Sequence, residues 1–170
     1  MKTTIPQCLI FVFLSIVYGS AVAHAEIKVG IAAALSGPVA AIGEQQEVGA
    51  SKAIKHLNDK GGLLGEKIIA IIVDDACDER QAKAAAIQLV SEGVVFVVGH
   101  LCSSCSLAAS KIYEEAGIIM ITPASTNPRV TDEGRANVFR VSGRDDQQGI
   151  VAGDYLADNH GTNRIATVSY

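Results

Sequence analysis

The run Val94-Val95-Phe96-Val97-Val98 is apolar and mostly β-branched, and Gly99 ends it just before Cys102-Ser103-Ser104-Cys105 opens a helical pattern. Five such residues in a row read as a strand buried on both faces, the condition of a parallel strand beneath helices. The strand must then deliver its loop to a helix N-terminus. The first-turn N–H groups of that helix lack intrahelical partners and sit at the positive end of its dipole, so an anion such as a carboxylate is their natural guest. Ser103 and Ser104 supply hydroxyls that either cap the helix or hydrogen-bond a ligand.

The same strand-to-helix unit recurs on both sides. Residues 27–34 read as a first buried strand ending in Leu35-Ser36-Gly37-Pro38, and a helical stripe of Val48, Ala50, Ala53, Ile54 and Leu57 follows until Gly61-Gly62. Residues 67–73 form a second strand. After Asp74-Asp75-Ala76-Cys77, Asp78 is the expected N-cap of a helix that carries Ala82, Ala85, Ala86, Leu89 and Val90 and closes at Gly93. The helix opened at Cys102 runs through Tyr113, Glu114 and Glu115 to Gly117. A fourth strand covers 118–122, a rigid polar loop 123–128, a fifth strand 137–141, a helix 145–159 and a last strand 164–170. Strands alternating with helices imply right-handed crossovers and an α/β fold built on a doubly wound parallel sheet. Ligands of such sheets bind beyond the carboxyl ends of the strands. The Ser36-Gly37-Pro38, Cys102-Ser103-Ser104 and Ala124-Ser125-Thr126 loops all lie at that edge.

Several functions are disfavoured. A formal net charge of −4 with no basic run gives no footprint for nucleic acid. The first turn contains neither G-x-G-x-x-G nor G-x-x-x-x-G-K-[ST], so no dinucleotide or nucleoside triphosphate is signalled, and no cofactor is expected. Asp74 and Asp75 read as turn and capping acids ahead of metal ligands or a phospho-acceptor pocket. His100 reads as a hydrogen-bonded structural residue. Residues 1–25 combine Lys2, an apolar core from Cys8 to Val17 and a terminal Ala23-His24-Ala25, the pattern of a cleaved secretory signal. Its removal takes away one lysine and no acid, which moves the formal net charge from −4 to −5.

Leu35-Ser36-Gly37-Pro38, Gly61-Gly62, Asp74-Asp75-Ala76-Cys77-Asp78, Gly99-His100-Leu101-Cys102-Ser103-Ser104 and Pro123-Ala124-Ser125-Thr126-Asn127-Pro128 resemble, in order and spacing, the periplasmic substrate-binding proteins of branched-chain amino acid ABC transporters. The resemblance covers essentially all of the chain after residue 25. Its most specific part, D-D-A-C-D followed by G-H-L-C-S-S, is that of the leucine/isoleucine/valine-binding group. It implies a type I periplasmic binding protein fold, with an incomplete N-terminal ligand-binding lobe over 26–143 and the beginning of a second similar lobe over 144–170. Members of that family are about twice this length, so the chain is expected to be an N-terminal fragment. The helix and strand after residue 145 are then too small to bury Ile150, Tyr155, Leu156, Ile165 and Val168.

The function implied is capture of a branched-chain or related small amino acid in the periplasm and its delivery to the membrane permease of an ABC importer, with no enzymatic step. Carried over from the family, Ser103, the backbone of Ala124, and Thr126 hold the ligand's α-carboxylate and α-ammonium, with Ser104 and Ser125 as neighbours. Elementary chemistry agrees: a zwitterion needs donors for its carboxylate, which a helix N-terminus and hydroxyls provide, and acceptors for its ammonium, which a loop carbonyl provides. Ile42 departs from the family pattern, standing where an aromatic near the ligand side chain is common. Cys105 departs too, standing where serine is usual.

Export places the chain in an oxidising compartment, and Cys77 and Cys102 follow the second and third strands at one sheet edge, where their loops can meet above the first strand. A Cys77–Cys102 disulfide is therefore expected, with Cys105 left free. Three other readings compete. Cys102-Ser103-Ser104-Cys105 is also a C-x-x-C at a helix N-terminus, as in thioredoxin-like oxidoreductases. Cys77, His100, Cys102 and Cys105 could together ligate zinc, although no second paired spacing accompanies them. The same fold also serves as a ligand-sensing domain of signalling receptors.

Overall fold

β1 (Ile27–Ala33) is paired on both sides, in parallel with β2 (Ile68–Asp74) over its full length and with β3 (Phe96–Val98) over Val29–Ile31. β4 (Ile119–Thr122) and β5 (Val138–Arg140) continue the sheet, giving the order β2-β1-β3-β4-β5 with every pair parallel. The computed structural model describes residues 26–133, 135–161, 164 and 166. The expected signal over 1–25 and most of the expected strand over 164–170 lie outside them. Among the described residues no helix is long and apolar enough to cross a membrane.

α1 (Ala40–Asp59) covers β1 and β2 on one face, while α2 (Glu79–Glu92) and α3 (Ser103–Glu115) pack together on the other. The core lies on that second face, where Ala32, Val73, Leu89, Val97, Ala109, Tyr113, Met120 and Val138 are buried against one another. The small residues along α2 let the helix sit close to the sheet, and a Cβ on Gly30 would meet Leu89 at 2.9 Å. α2 ends at Gly93, whose left-handed φ of 75° returns its N–H to the carbonyls of the last turn.

On the α1 face the sheet is only half covered. Strand alternation points Phe96, Val98, Ile119, Ile121 and Phe139 to this side, and Val141 just beyond β5 is 75% exposed. For this reason the apolar stripe expected of α1 is not core: Leu57 stays 41% exposed, Val48, half a turn around the helix from it, is 44% exposed, and Gly43 is the one buried residue of the helix. Two further helices follow β4 and β5. α4 (Arg129–Asp132) is a single turn after Pro128, too short to show periodicity in sequence, and α5 (Asp145–His160) carries no buried residue. Ile150, Val151 and Tyr155 on α5 are exposed.

Candidate ligand-binding loops

The loops after β2, β3 and β4 meet at the carboxyl edge of the sheet, and two of the helices there begin differently. Asp78 caps α2 by accepting from the N–H groups of Arg80 and Gln81, each at 3.0 Å. α3 follows Cys102, an extended residue that gives no side-chain cap, so the serines do not cap it as one reading allowed. Ser103 and Ser104 occupy its first turn and are half-buried. The Ser103 hydroxyl accepts from the Asn127 N–H at 3.3 Å, which joins the loop after β3 to the loop after β4.

The 123–128 loop is held from below. Thr122 Oγ1 accepts from the N–H groups of Ala124 (3.3 Å) and Ser125 (3.0 Å) and donates to the His100 carbonyl at 2.7 Å. Ser125 is buried, its hydroxyl within 2.8 Å of Ser106 Oγ and 3.2 Å of the His100 and Leu101 carbonyls. Ala124 and Thr126 remain half-buried beside it. Arg140, an unforeseen contributor from β5, donates Nη1 to the carbonyls of Ser125 (3.0 Å) and Asn127 (2.9 Å) and Nη2 to Thr131 Oγ1 (2.6 Å). The Thr126 carbonyl accepts from Asp145 N–H at 3.1 Å, and Thr126 lines a cleft of about 840 Å³ shared with Arg144, Gln148, Val151, Tyr155 and Leu156. Arg144 forks between Asp132 and Asp146, and its hydrogen bond holds the Asp146 carboxyl down at about 2. Ile42, 53% exposed, stands on the first turn of α1.

Cys77 and Cys102 form a disulfide with Cα atoms 5.6 Å apart, as expected. This takes Cys102 out of the C-x-x-C pair and two of the four thought of for zinc out of ligation. Cys105 is free and buried; burial first, and the nearby Asp75 charge second, push its thiol up to about 12. Among the described residues no three His, Cys, Asp or Glu side chains are grouped to hold a metal. Asp74 serves the turns, its Oδ1 accepting from the N–H groups of Leu35 (2.8 Å), Ser36 (3.3 Å) and Ala76 (2.8 Å).

Asp75 serves the turn expected of it, accepting from the Cys77 N–H at 2.9 Å, but its second partner and the part played by Tyr113 were not singled out by pattern. Asp75 Oδ2 lies 2.6 Å from His100 Nδ1, and His100 Nε2 lies 3.1 Å from the Tyr113 hydroxyl, with all three residues buried. One sequence signal could have found part of this: Asp75 and His100 are 25 residues apart, the same separation as Cys77 and Cys102, so the two pairs bridge the same two loops in step.

The periplasmic binding protein family model matches residues 26–170. The chain is 48% identical over 147 residues to an amino acid binding protein of Pseudomonas aeruginosa, covering 86% of this chain and 39% of that one. It is 47% identical over 143 residues to the Leu/Ile/Val/Thr-binding protein of Salmonella typhimurium, covering 84% and 39%. It therefore spans about two fifths of the length of these relatives. Among solved structures, the branched-chain amino acid transporter substrate-binding protein LivJ of Streptococcus pneumoniae, in complex with isoleucine, superposes with a TM-score of 0.75 at 29% identity, over 79% of this chain and 39% of that one. An ABC transporter substrate-binding protein of Desulfitobacterium hafniense, in complex with Leu, superposes with a TM-score of 0.70 at 32% identity, over 80% and 40%.

Proposed function

The chain belongs to the periplasmic binding protein family, and from that premise we propose that it contributes the N-terminal lobe of a protein that captures a branched-chain or similar small amino acid in the periplasm and hands it to the membrane permease of an ABC importer. Residues 26–143 are the lobe in this reading, 144–170 open a second one, and residues 1–25 direct export. Capture and release make no covalent bond, so neither a nucleophile nor a general base enters.

One observation carries the assignment of the site. The N-terminus of α3 lacks a side-chain cap and lies beside Ser103, whose hydroxyl is already tied to Asn127 of the neighbouring loop. Free first-turn N–H groups and a hydroxyl suit the ligand's carboxylate. The Ala124 carbonyl and the Thr126 hydroxyl, on the loop so tied, suit its ammonium. Ser104 adds a second hydroxyl at the helix end. Ser125, whose hydroxyl is turned inward, acts by shaping the loop.

The test is an amide-resolved NMR titration of the chain from Glu26 onward with leucine, leucinamide and isovalerate. Leucine should move the amides of Ser103, Ser104, Ala124 and Thr126 saturably. Leucinamide, which lacks the carboxylate, and isovalerate, which lacks the ammonium, should move them far less. Equal responses to all three, or leucine shifts confined to other loops, would overturn the site.

A further inference from the structure

We propose that His100 is the positioning residue of this site, setting the two ligand loops against each other through its carbonyl while Asp75 and Tyr113 fix its ring. The proposal rests on the amino-acid-binding reading above.

Its ground is the number of elements that end on this one residue. The imidazole joins the loop after β2, through Asp75 Oδ2 at 2.6 Å, to the third turn of α3, through the Tyr113 hydroxyl at 3.1 Å. Asp75 uses its other oxygen to accept from Cys77 N–H at 2.9 Å, so the disulfide loop is drawn into the same chain. The His100 carbonyl receives Thr122 Oγ1 at 2.7 Å, Ser125 Oγ at 3.2 Å and Ser106 Oγ at 3.3 Å. Thr122 and Ser125 in turn define the backbone around Ala124 and Thr126, and Ser106 lies one turn along α3 from Ser103. Gly99 makes room for this arrangement, since a Cβ there would run into the Ala32 carbonyl.

Three polar groups buried in a core cost free energy unless each is hydrogen-bonded, and a partly satisfied network is worse than an apolar one. One arrangement of protons satisfies all three here. Nδ1–H donates to the Asp75 carboxylate, which fixes the tautomer, and Nε2 accepts from the Tyr113 O–H. Burial first, and the Asp75 charge second, push the Tyr113 phenol up and keep its proton available to donate. A ring held at both nitrogens cannot turn, and the carbonyl of the same residue is held with it. Hydrophobic side chains would fill this space without imposing that direction.

The test uses the chain from Glu26 onward with Tyr113→Phe, His100→Asn and the double variant. Tyr113→Phe removes one hydroxyl, and His100→Asn keeps an N–H toward Asp75 while losing the acceptor for Tyr113. In ligand-free NMR spectra both should shift the amides of Ala124 and Ser125 across the chain, together with those of Ser103 and Ser104, which lie about three turns of α3 away from Tyr113. Leucine affinity should fall about three- to ten-fold, the effect of one lost neutral hydrogen bond. The double variant should be no worse than either single one. Variants that only melt at lower temperature, with loop amides and affinity unmoved, would overturn the positioning role, and so would additive losses in the double variant. If the parent chain itself showed no leucine response, the binding reading would fall, while the ligand-free loop shifts would still decide the role of His100.

Discussion

Cys105 follows Cys102 by three residues on the first turn of α3, yet Cys102 is bonded to Cys77 and the Cys105 thiol is buried. A helix N-terminus favours a thiolate, which is why C-x-x-C at such a place suggests redox chemistry. Here burial and the Asp75 charge outweigh that effect and raise the thiol to about 12. The nucleophile that disulfide exchange requires is therefore absent at neutral pH. Native protein at pH 8 should show no alkylation by iodoacetamide over the time in which a denatured sample reacts completely. Rapid labelling of Cys105 in the folded state, followed by exchange to a Cys102–Cys105 bond on peptide mapping, would restore the redox reading.

The disulfide closes a loop over a separation of 25 residues, and the Asp75–His100 pair joins the same two strand-end loops two residues earlier on each side, with the same separation. Both ties oppose the parting of the loops after β2 and β3. In the chain-entropy model a loop of this length is worth roughly 3–4 kcal/mol. Replacing Cys77 and Cys102 together by serine should lower the denaturant midpoint accordingly and speed amide exchange in residues 75–78 and 100–103 before the sheet opens. An unchanged midpoint would mean that the Asp75–His100–Tyr113 chain and the packing of α2 on α3 already hold the loops.

Much of the sheet was legible because each strand has one strong local cause. The apolar runs became β1 to β4, although β3 keeps only Phe96–Val98 of the run from 94 to 98 and Val95 is 58% exposed, the glycine at 93 closed α2 with a left-handed turn, and Asp78 became its cap. What escaped depended on partners far away in sequence. Ala50, Ala53, Ile54 and Leu57 share one face of α1, but half of the adjoining sheet face is uncovered, so none of them is fully buried, and Val48 lies half a turn away from Leu57. Ser125 reads as a ligand hydroxyl until the His100 and Leu101 carbonyls, about 25 residues earlier, are seen to occupy it. Arg140 looks like an ordinary strand residue, and only the turn of the 123–128 loop brings two carbonyls to its guanidinium.

Asp74 should make stability sensitive to acid. Burial alone would raise its carboxyl, but hydrogen bonds from the Ser36 hydroxyl and from the N–H groups of Ala76, Leu35 and Ser36 outweigh this and hold it below the usual carboxylate range. A group lowered in the folded state stabilises fully above its unfolded value of about 4, and that stabilisation is lost as pH falls through the folded value. The stability difference between the parent chain and Asp74→Ala should thus be constant from pH 7 to about pH 5 and shrink below about pH 4. Urea titrations across this range would measure it, and a difference that grew in acid would contradict the sign.

Made in a chain of the relatives' full length, Ser103→Ala and Thr126→Ala should weaken leucine binding more than they weaken the fold. Neither hydroxyl is part of the buried core, and each faces a charged group of the proposed ligand. A hydrogen bond to a charged group is worth about 1.5–3 kcal/mol, so affinity should fall roughly ten- to a hundred-fold in each variant while the thermal transition stays close to that of the parent. Parent-like affinity in both would remove these residues from the site.

The affinity of the parent chain is itself open to prediction. In the proposed site a ligand is held from the loops of one lobe, and on the other side stands α5, which has no buried residue and leaves Ile150, Val151 and Tyr155 in solvent. A zwitterion held from one side keeps water on its other side, so its charged ends gain little over hydration and its branched side chain buries little apolar surface. Relatives of the length recorded for the Salmonella protein have three fifths of their chain beyond this match, enough for a second wall. The chain from Glu26 onward should therefore bind leucine only at about the millimolar level, or near −4 kcal/mol. Hydrogen exchange should find α5 the least protected helix and β1, paired on both sides, the most protected strand. Micromolar leucine binding by calorimetry, together with slow exchange along α5, would show that the loops after β3 and β4 with α5 already form a closed site.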